Sequence, residues 1–338
     1  MEKIDRSYVR YTRYAIQWAV FFFLIYAGYR FYFFVEHFLS GTAAVDRGIM
    51  GSRLPSVEGF LPIGALMGLK LWLVEGVFDH IHPAGLVIFI GAILLAIFLK
   101  KGFCGWICPV GAISDAVWKL GRKVFGRNFS LPKYADIGLR SIKYLLLSFF
   151  FYVIVIRMPS FAILRFLEGD YYKIADVKML FFFTEMTTTT AVTLSLLFVF
   201  SILYKNFWCR YLCPYGALLG LLSMLSPLKI RRSEQACIHC GKCTKNCPSQ
   251  LPVESLASVR SPECTGCLTC VSHCPAKGAL DVALPKRRVV NPVIFGVLII
   301  AVFFGAIVMA KMSGNWESSI SYDEYRRIIP QSRQLDHP

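Results

Sequence analysis

Charge is scarce in this chain. Only 17% of its 338 residues are Asp, Glu, Lys or Arg, against 56% hydrophobic and 15% aromatic, and the mean hydropathy is +0.53. A soluble domain of this length carries more charge and spreads it more evenly, so an ordinary soluble enzyme is excluded. Unassigned cysteine is lacking as well. All twelve thiols fall into ligand patterns, which leaves none for a disulfide framework. Histidine is absent from the middle of every apolar run; His37 and His82 lie outside them, which argues against a b-haem held between spans. No small-x-small cleavage site follows the first apolar run, so that run reads as an uncleaved anchor and not a signal peptide. Flavin, haem and molybdenum motifs are missing, which leaves one-electron relay as the main chemistry.

What is present is apolar sequence in blocks. Five stretches, roughly 15–34, 84–99, 138–156, 179–204 and 291–311, approach the length needed to cross about 30 Å of hydrocarbon. A weaker stretch, 60–78, is interrupted by Lys70 and Glu75 and reads as a re-entrant or interfacial helix. The net charge of +16 is unevenly placed. Lys3, Arg6, Arg10 and Arg13 precede the first run, seven Lys/Arg from Lys100 to Lys133 follow the second, and twelve lie between Lys205 and Arg288. The alternate loops, 35–83 and 157–178, are nearly balanced by acids that include Glu36, Asp46, Glu58, Glu75, Asp79 and Asp176. By the positive-inside rule the N-terminus and all cysteine motifs are cytoplasmic, and the tail 312–338 is outside. The basic charge therefore marks a membrane surface and not nucleic acid.

Two short cysteine motifs align without gaps at an offset of 105 residues: FCGWICPVGAI from Phe103 and WCRYLCPYGAL from Trp208. Each follows an apolar run and precedes another, so the unit is two spans plus a cysteine turn, present twice in one orientation. Parallel repeats of that kind are related by an axis along the membrane normal, which would set Cys104, Cys108, Cys209 and Cys213 around one point. In a helical turn, positions i and i+4 lie about 6 Å apart on one face. Four such thiols suit a third iron–sulfur cluster, a tetrahedral metal or a reversible dithiol, and small cysteines packed near Gly111 and Gly216 are the bland alternative. The proline after each second cysteine marks the start of a helix or a turn.

The other eight cysteines form two runs, Cys237-x2-Cys240-x2-Cys243-x3-Cys247-Pro248 and Cys264-x2-Cys267-x2-Cys270-x3-Cys274-Pro275. In bacterial two-cluster ferredoxins three cysteines of a run hold one [4Fe-4S] cluster and the fourth reaches the other. That rule gives cluster one to Cys237, Cys240, Cys243 and Cys274, and cluster two to Cys247, Cys264, Cys267 and Cys270. Zinc ribbons use two separated pairs and fit poorly. Gly241 and Gly266 permit turns that aim backbone N–H groups at cluster sulfur. His239 and His273, inside the runs, read as surface or hydrogen-bonding groups that tune potential, not as ligands. Lys229–Arg232 and 286–288 read as membrane-surface anchors or as a docking face for an acidic electron donor.

These motifs together resemble the NapH-type membrane ferredoxins, whose plan the C-terminal half of NosR and the FixG/CcoG proteins share. The resemblance covers about residues 84–290. It implies a polytopic iron–sulfur protein of a prokaryotic inner membrane that links the quinone pool to a respiratory redox partner. In NapH-like proteins the implied role is quinol dehydrogenation; in FixG/CcoG-like proteins it is copper reduction during oxidase assembly. This sequence differs from NosR in having no large outside flavin-binding domain before the first span. It differs from the FixG group in having a fifth span and short tail in place of an outside β-domain.

The expected architecture is an all-α polytopic membrane protein with an inserted α+β ferredoxin domain of the bacterial two-cluster type. Its parts are a membrane domain over 1–228, the ferredoxin over 229–290, a fifth span and the tail, in which Trp316 and 322–329 look like a docking strap for other subunits. Quinol oxidation would need proton-accepting groups near one membrane face. Glu36, His37, Glu75, Asp79, His80 and His82 cluster at the outer edge in sequence, and Glu185 lies near the outer end of the fourth span. The expected function is electron transfer between quinol and a redox complex. Metal reduction through the paired motifs and a non-catalytic redox sensor are the alternatives.

Overall fold

A computed structural model describes residues 6–40, 53–285 and 288–335. In chain order the longer helices begin with α1 (Ser7–Ser40), α2 (Pro62–Glu75), α3 (Pro83–Phe98), α4 (Pro109–Phe125) and α5 (Lys133–Phe151). They continue through α6 (Ser160–Glu168), α7 (Asp170–Lys173), α8 (Ala175–Thr184), α9 (Thr188–Leu203) and α10 (Pro214–Leu222). Single turns α11 (Lys242–Lys245) and α12 (Thr269–Ser272) follow, and α13 (Pro292–Met312) and α14 (Tyr322–Ile328) complete the series. Proline opens α2, α4 and α10 at the position whose N–H would have no helical partner in any case.

Among the described residues three helices are long and apolar enough to cross a membrane: α1, the run Lys133–Arg157 formed by α5 and a π-helical extension, and α13. They leave large apolar side chains exposed, among them Phe22 at 63%, Leu145 at 66% and Met309 at 72%. Such faces are unfavourable in water and suited to lipid. The sequence suggests one unbroken span over 179–204, but the chain bends by 76° between α8 and α9. The cause is local: Thr187 Oγ1 accepts a hydrogen bond from the Thr190 N–H at 3.2 Å, an N-cap that starts a new helix. α3 is apolar but has only 16 residues, short of the roughly 20 that a span needs. By length and composition the described residues thus hold three such helices, or four with the bent pair, where the sequence suggests five spans.

The chain divides into two compact units. One comprises Met1–Phe21, Ala92–Leu147 and Ser195–Phe303, and contains every cysteine. It carries an antiparallel sheet of β1 (Lys229–Arg232), β2 (Ser258–Val259), β3 (Leu280–Ala283) and β4 (Val289–Val290), in the order β2-β1-β3-β4. Ile230 pairs with Val259 on one side and Val282 on the other, and all three are buried. The first ferredoxin run is the connection from β1 to β2, and the second connects β2 to β3. β1 thus places Arg231 and Arg232 in the sheet, whereas Lys286 and Arg287 of the other basic flank lie outside the described residues.

The other unit comprises Phe22–Gly91, Ser148–Leu194 and Phe304–Pro338. Its core gathers Phe31, Phe34, Val35 and Phe38 of α1 with Val57, Ile174, Val177, Tyr325, Ile328 and Ile329. The tail expected to strap a partner is thus folded onto its own chain. The reason lies in its pattern: Tyr325, Ile328 and Ile329 fall on one helical face that must be buried. A capping box between Ser321 and Glu324 starts the helix, and Trp316 is buried with Ala84, Val87 and Ala310.

Candidate iron–sulfur site

The two ferredoxin runs close around two cavities, each about 350 Å³ of non-atom space that includes some open solvent. The first is lined by Cys237, Cys240, Cys243 and Cys274, with Arg232 and Glu254 at its wall. The second is lined by Cys247, Cys264, Cys267 and Cys270. Among the described residues no three His, Cys, Asp or Glu side chains converge as ligands of a single ion would. The thiols stand around voids instead, and a thiolate-ligated cluster larger than one metal ion fits that arrangement.

Backbone conformation explains how the loops wrap. His239 and Gly241 flank Cys240 with φ of 51° and 67°, and Gly266 and Leu268 flank Cys267 with φ of 62° and 54°. Alternating left-handed residues turn successive N–H groups toward one side, which suits an anion. Glycine signals half of this pattern in the sequence; His239 and Leu268 adopt the same conformation without that signal. Neither histidine is positioned as a ligand. The His239 side chain is 62% exposed and lies 3.9 Å from Glu254, while His273 Nδ1 is 2.9 Å from the Thr269 carbonyl.

The paired motifs fold alike. Residues Phe103–Ile107 and Trp208–Leu212 each form a π-helical turn, and each second cysteine precedes the proline that opens α4 or α10. In the second copy Cys213 Sγ accepts from the Gly216 N–H at 3.2 Å. All four cysteines are half-buried. Burial pushes the Cys104 thiol up to about 11 and the Cys209 thiol up to about 12, and each also feels the other motif's Cys213 or Cys104. The Cys108 thiol is raised for the same reasons, by burial first and then by Cys104 and Cys209. Cys104, Cys108 and Cys209 thus each feel a thiol of the other copy, and the buried Lys101 ammonium lies with Cys213 Sγ beside Gly216.

Both copies also dock on the loops of the second cavity. A side chain on Gly105 would begin 2.5 Å from the Thr265 carbonyl oxygen and 3.4 Å from the Cys267 backbone, so only glycine permits this approach. Next to it, Trp106 Nε1 donates to the Gly266 carbonyl at 3.0 Å. From the other copy, Arg210 donates to the Ser249 carbonyl, two residues past Cys247, and is itself held by Asp136 at 2.8 Å. The loop before Cys264 is tied by Glu263, which accepts from Lys143 at 2.6 Å and Tyr144 at 2.9 Å.

A cation with unsatisfied nitrogen, Arg232, lines the first cavity, and another, Lys100, packs on Gly266 of the second cavity's loop. Among the described residues Lys100 Nζ and Arg232 Nε and Nη1 are buried without a hydrogen-bond acceptor. Burial pushes the Lys100 ammonium pKa down, and the Cys264 thiol acts in the opposite direction. Orphaned cations beside rings of thiols fit an anionic occupant.

The outer-edge candidates do not form one group. Asp79 and His82 are brought together in the second unit, with four residues the sequence did not single out. Arg53 lies 2.7 Å from both Glu58 and Asp176, and Tyr172 donates to Asp79 at 2.6 Å. His82 Nε2 is 2.7 Å from the Tyr172 carbonyl and its Nδ1 is 3.5 Å from Glu58. Elsewhere, His37 bonds Tyr322 at 2.6 Å and Glu185 pairs with Arg333 at 2.6 Å, while Glu36, Glu75 and His80 are exposed.

Comparison with known proteins adds the family. A 4Fe-4S binding domain matches residues 81–128 and again 186–233, the same 105-residue offset as the cysteine repeat, and a 4Fe-4S dicluster domain matches 229–275. Over 319 residues the chain is 42% identical to YccM of Escherichia coli, named as an electron transport protein, covering 93% of this chain and 88% of that one. It is 29% identical to the ferredoxin-type protein NapH of E. coli, over 57% of this chain and 67% of that one. It is 28% identical to NirI of Paracoccus denitrificans, over 75% and 36% respectively. No solved structure matches it. With that identity over nearly the whole of both chains, the protein belongs to the YccM-like family of ferredoxin-type 4Fe-4S membrane proteins.

Proposed function

We propose that this membrane iron–sulfur electron-transfer protein links the quinone pool to a redox partner through three cubane clusters. Cys237, Cys240, Cys243 and Cys274 hold the first, Cys247, Cys264, Cys267 and Cys270 the second, and Cys104, Cys108, Cys209 and Cys213 the third. The observation that carries the two ferredoxin clusters is the pair of cavities lined four-and-four by their cysteines, and the third rests on the repeated cysteine turns. A cluster so held supplies one-electron transfer between its two stable charge states. The chain's own part is to exclude water with the β-sheet, aim N–H groups at sulfur through the left-handed turns, and pack both cysteine turns on the second cavity. Charge placement in the sequence puts the ferredoxin domain on the cytoplasmic side, with the tail outside. On the quinone side Asp79 and His82 are the proton-handling residues: Asp79 accepts the His82 backbone N–H, and both side chains meet Tyr172.

Iron and acid-labile sulfide per chain test the cluster assignment directly. Three cubanes give about twelve irons. Cys104→Ser then lowers the count to about eight while both ferredoxin signals persist in electron paramagnetic resonance (EPR). A count near eight in the unsubstituted protein removes the third cluster. Reconstituted with its partner in quinone-containing vesicles, the protein should oxidise quinol; redox-active clusters with no quinol oxidation and no quinone reduction would remove the quinone link.

A further inference from the structure

Lys100 is built into the fold in a way that solvent exposure cannot explain. It is 2% exposed and adopts a left-handed backbone with φ of 60°, uncommon for a residue with a side chain. That conformation is pinned: the Lys100 N–H donates to Ser226 Oγ at 3.0 Å, and Ser226 Oγ donates to the Phe98 carbonyl at 3.0 Å. The Lys100 Cβ lies 3.3 Å from the point where a side chain on Gly266 would begin, so the lysine packs on the loop between Cys264 and Cys267. Its ammonium is buried and, among the described residues, finds no acceptor. Lys143 in the same unit, buried to 0%, shows the ordinary arrangement, paired with Glu263 at 2.6 Å. A buried ammonium without an anion is strongly unfavourable.

The missing anion has a natural identity. A cubane with four thiolate ligands is net negative, and adding an electron makes it more negative by one unit. A fixed cation in a low-dielectric wall beside it favours the reduced form. We propose that Lys100 is the buried counter-charge of the cluster held by Cys247, Cys264, Cys267 and Cys270, and that it raises that cluster's reduction potential. This rests on the reading that the second cavity holds a cubane. Lys100 is a positioning residue here: it acts on the cluster by charge and ligates nothing. Arg232 lines the first cavity and, among the described residues, has two buried nitrogens without an acceptor, and so provides an internal control.

The test is a dithionite titration of the full chain, purified anaerobically in detergent and followed by EPR, with iron content measured on each sample. In Lys100→Met the reduced-to-oxidised ratio of the second cluster, read at the wild-type midpoint, should fall about tenfold, which is about 59 mV for one electron. The first cluster should stay in place. Arg232→Gln should do the converse, and Lys100→Arg should keep the second cluster near the wild-type midpoint. An unmoved second midpoint with both clusters retained overturns the proposal, as does an equal shift in both clusters. If Lys100→Met loses its second cluster, Lys100→Gln against Lys100→Arg decides: a lower midpoint in Gln alone supports the counter-charge, and equal midpoints refute it. Absence of the second cluster from the unsubstituted protein would be a failure of the cluster reading itself, and iron content identifies it.

Discussion

Arg53 and Lys100 are both buried cations, and their surroundings differ completely. Arg53 lies 2.7 Å from each of two carboxylates, Glu58 and Asp176, whose side chains are 0% exposed. Burial alone would lower the Arg53 pKa; Asp176 and Glu58 outweigh it and hold the guanidinium charged. Lys100 has no such company. Around Arg53 charge is neutralised by the chain itself. Around Lys100 the chain supplies a cation and thiols but, among the described residues, no acceptor for the ammonium, which is the arrangement expected of a site completed by an anionic cofactor. A buried ion pair is thus weak evidence of function, and a buried unpaired ion is strong evidence of a ligand.

The sharpest way to break this contrast is to remove each cation in turn. Arg53→Met leaves two buried carboxylates unpaired and should lower stability by about 3–5 kcal/mol, measured by unfolding in detergent, without changing iron content. Lys100→Met should be neutral or stabilising in cluster-free protein, because it removes an unpaired charge from a buried position. Equal destabilisation by the two substitutions in the cluster-free state would erase the distinction.

A smaller effect is expected where the cysteine turn meets the second cavity. Gly105→Ala forces a methyl group against the Thr265 carbonyl at 2.5 Å, so backbone must shift. The expected loss is about 1–3 kcal/mol, typical of overpacking. Because the displaced loop carries Cys264 and Cys267, iron should be lost from the second cluster before the first. Selective loss of the first cluster would show that the turn does not support the second cavity.

What the sequence made legible follows from how local each feature is. Cysteine spacing is visible because each run is a single loop whose ligands lie within eleven residues. Proline at 109 and 214 marks helix starts by its missing N–H. The break at Thr187 was hidden because an apolar average over 179–204 does not register one capping hydroxyl. His239 and Leu268 concealed their left-handed turns because neither is glycine. Arg53, Glu58 and Asp176 left no signal at all, since Arg53 and Asp176 are 123 residues apart and look like ordinary loop charges. The same distance problem hid the tail's burial: its apolar face was visible, but its partner face on α1 was not.

The weakest predicted effect is a pH dependence in the Arg53 network. Burial disfavours a charged His82 ring, but the hydrogen bond and charge of Glu58, aided by Asp176, outweigh it and raise the His82 pKa. The neutral ring has its own place, because Arg53 Nη2 lies 3.2 Å from Nδ1 and can donate to it, while Nε2–H bonds the Tyr172 carbonyl. Protonation replaces the Arg53 contact with the Glu58 ion pair, so the swing is modest. A raised folded pKa means that the folded state binds the proton more tightly than the unfolded chain. The resulting stabilisation is fully present below the unfolded value of about 6.5 and is lost as pH rises through the folded pKa. Unfolding measured across that window should show stability declining with pH, and Glu58→Gln should flatten the decline by removing the main counterweight to burial. A decline that survives Glu58→Gln unchanged would assign the proton to another group.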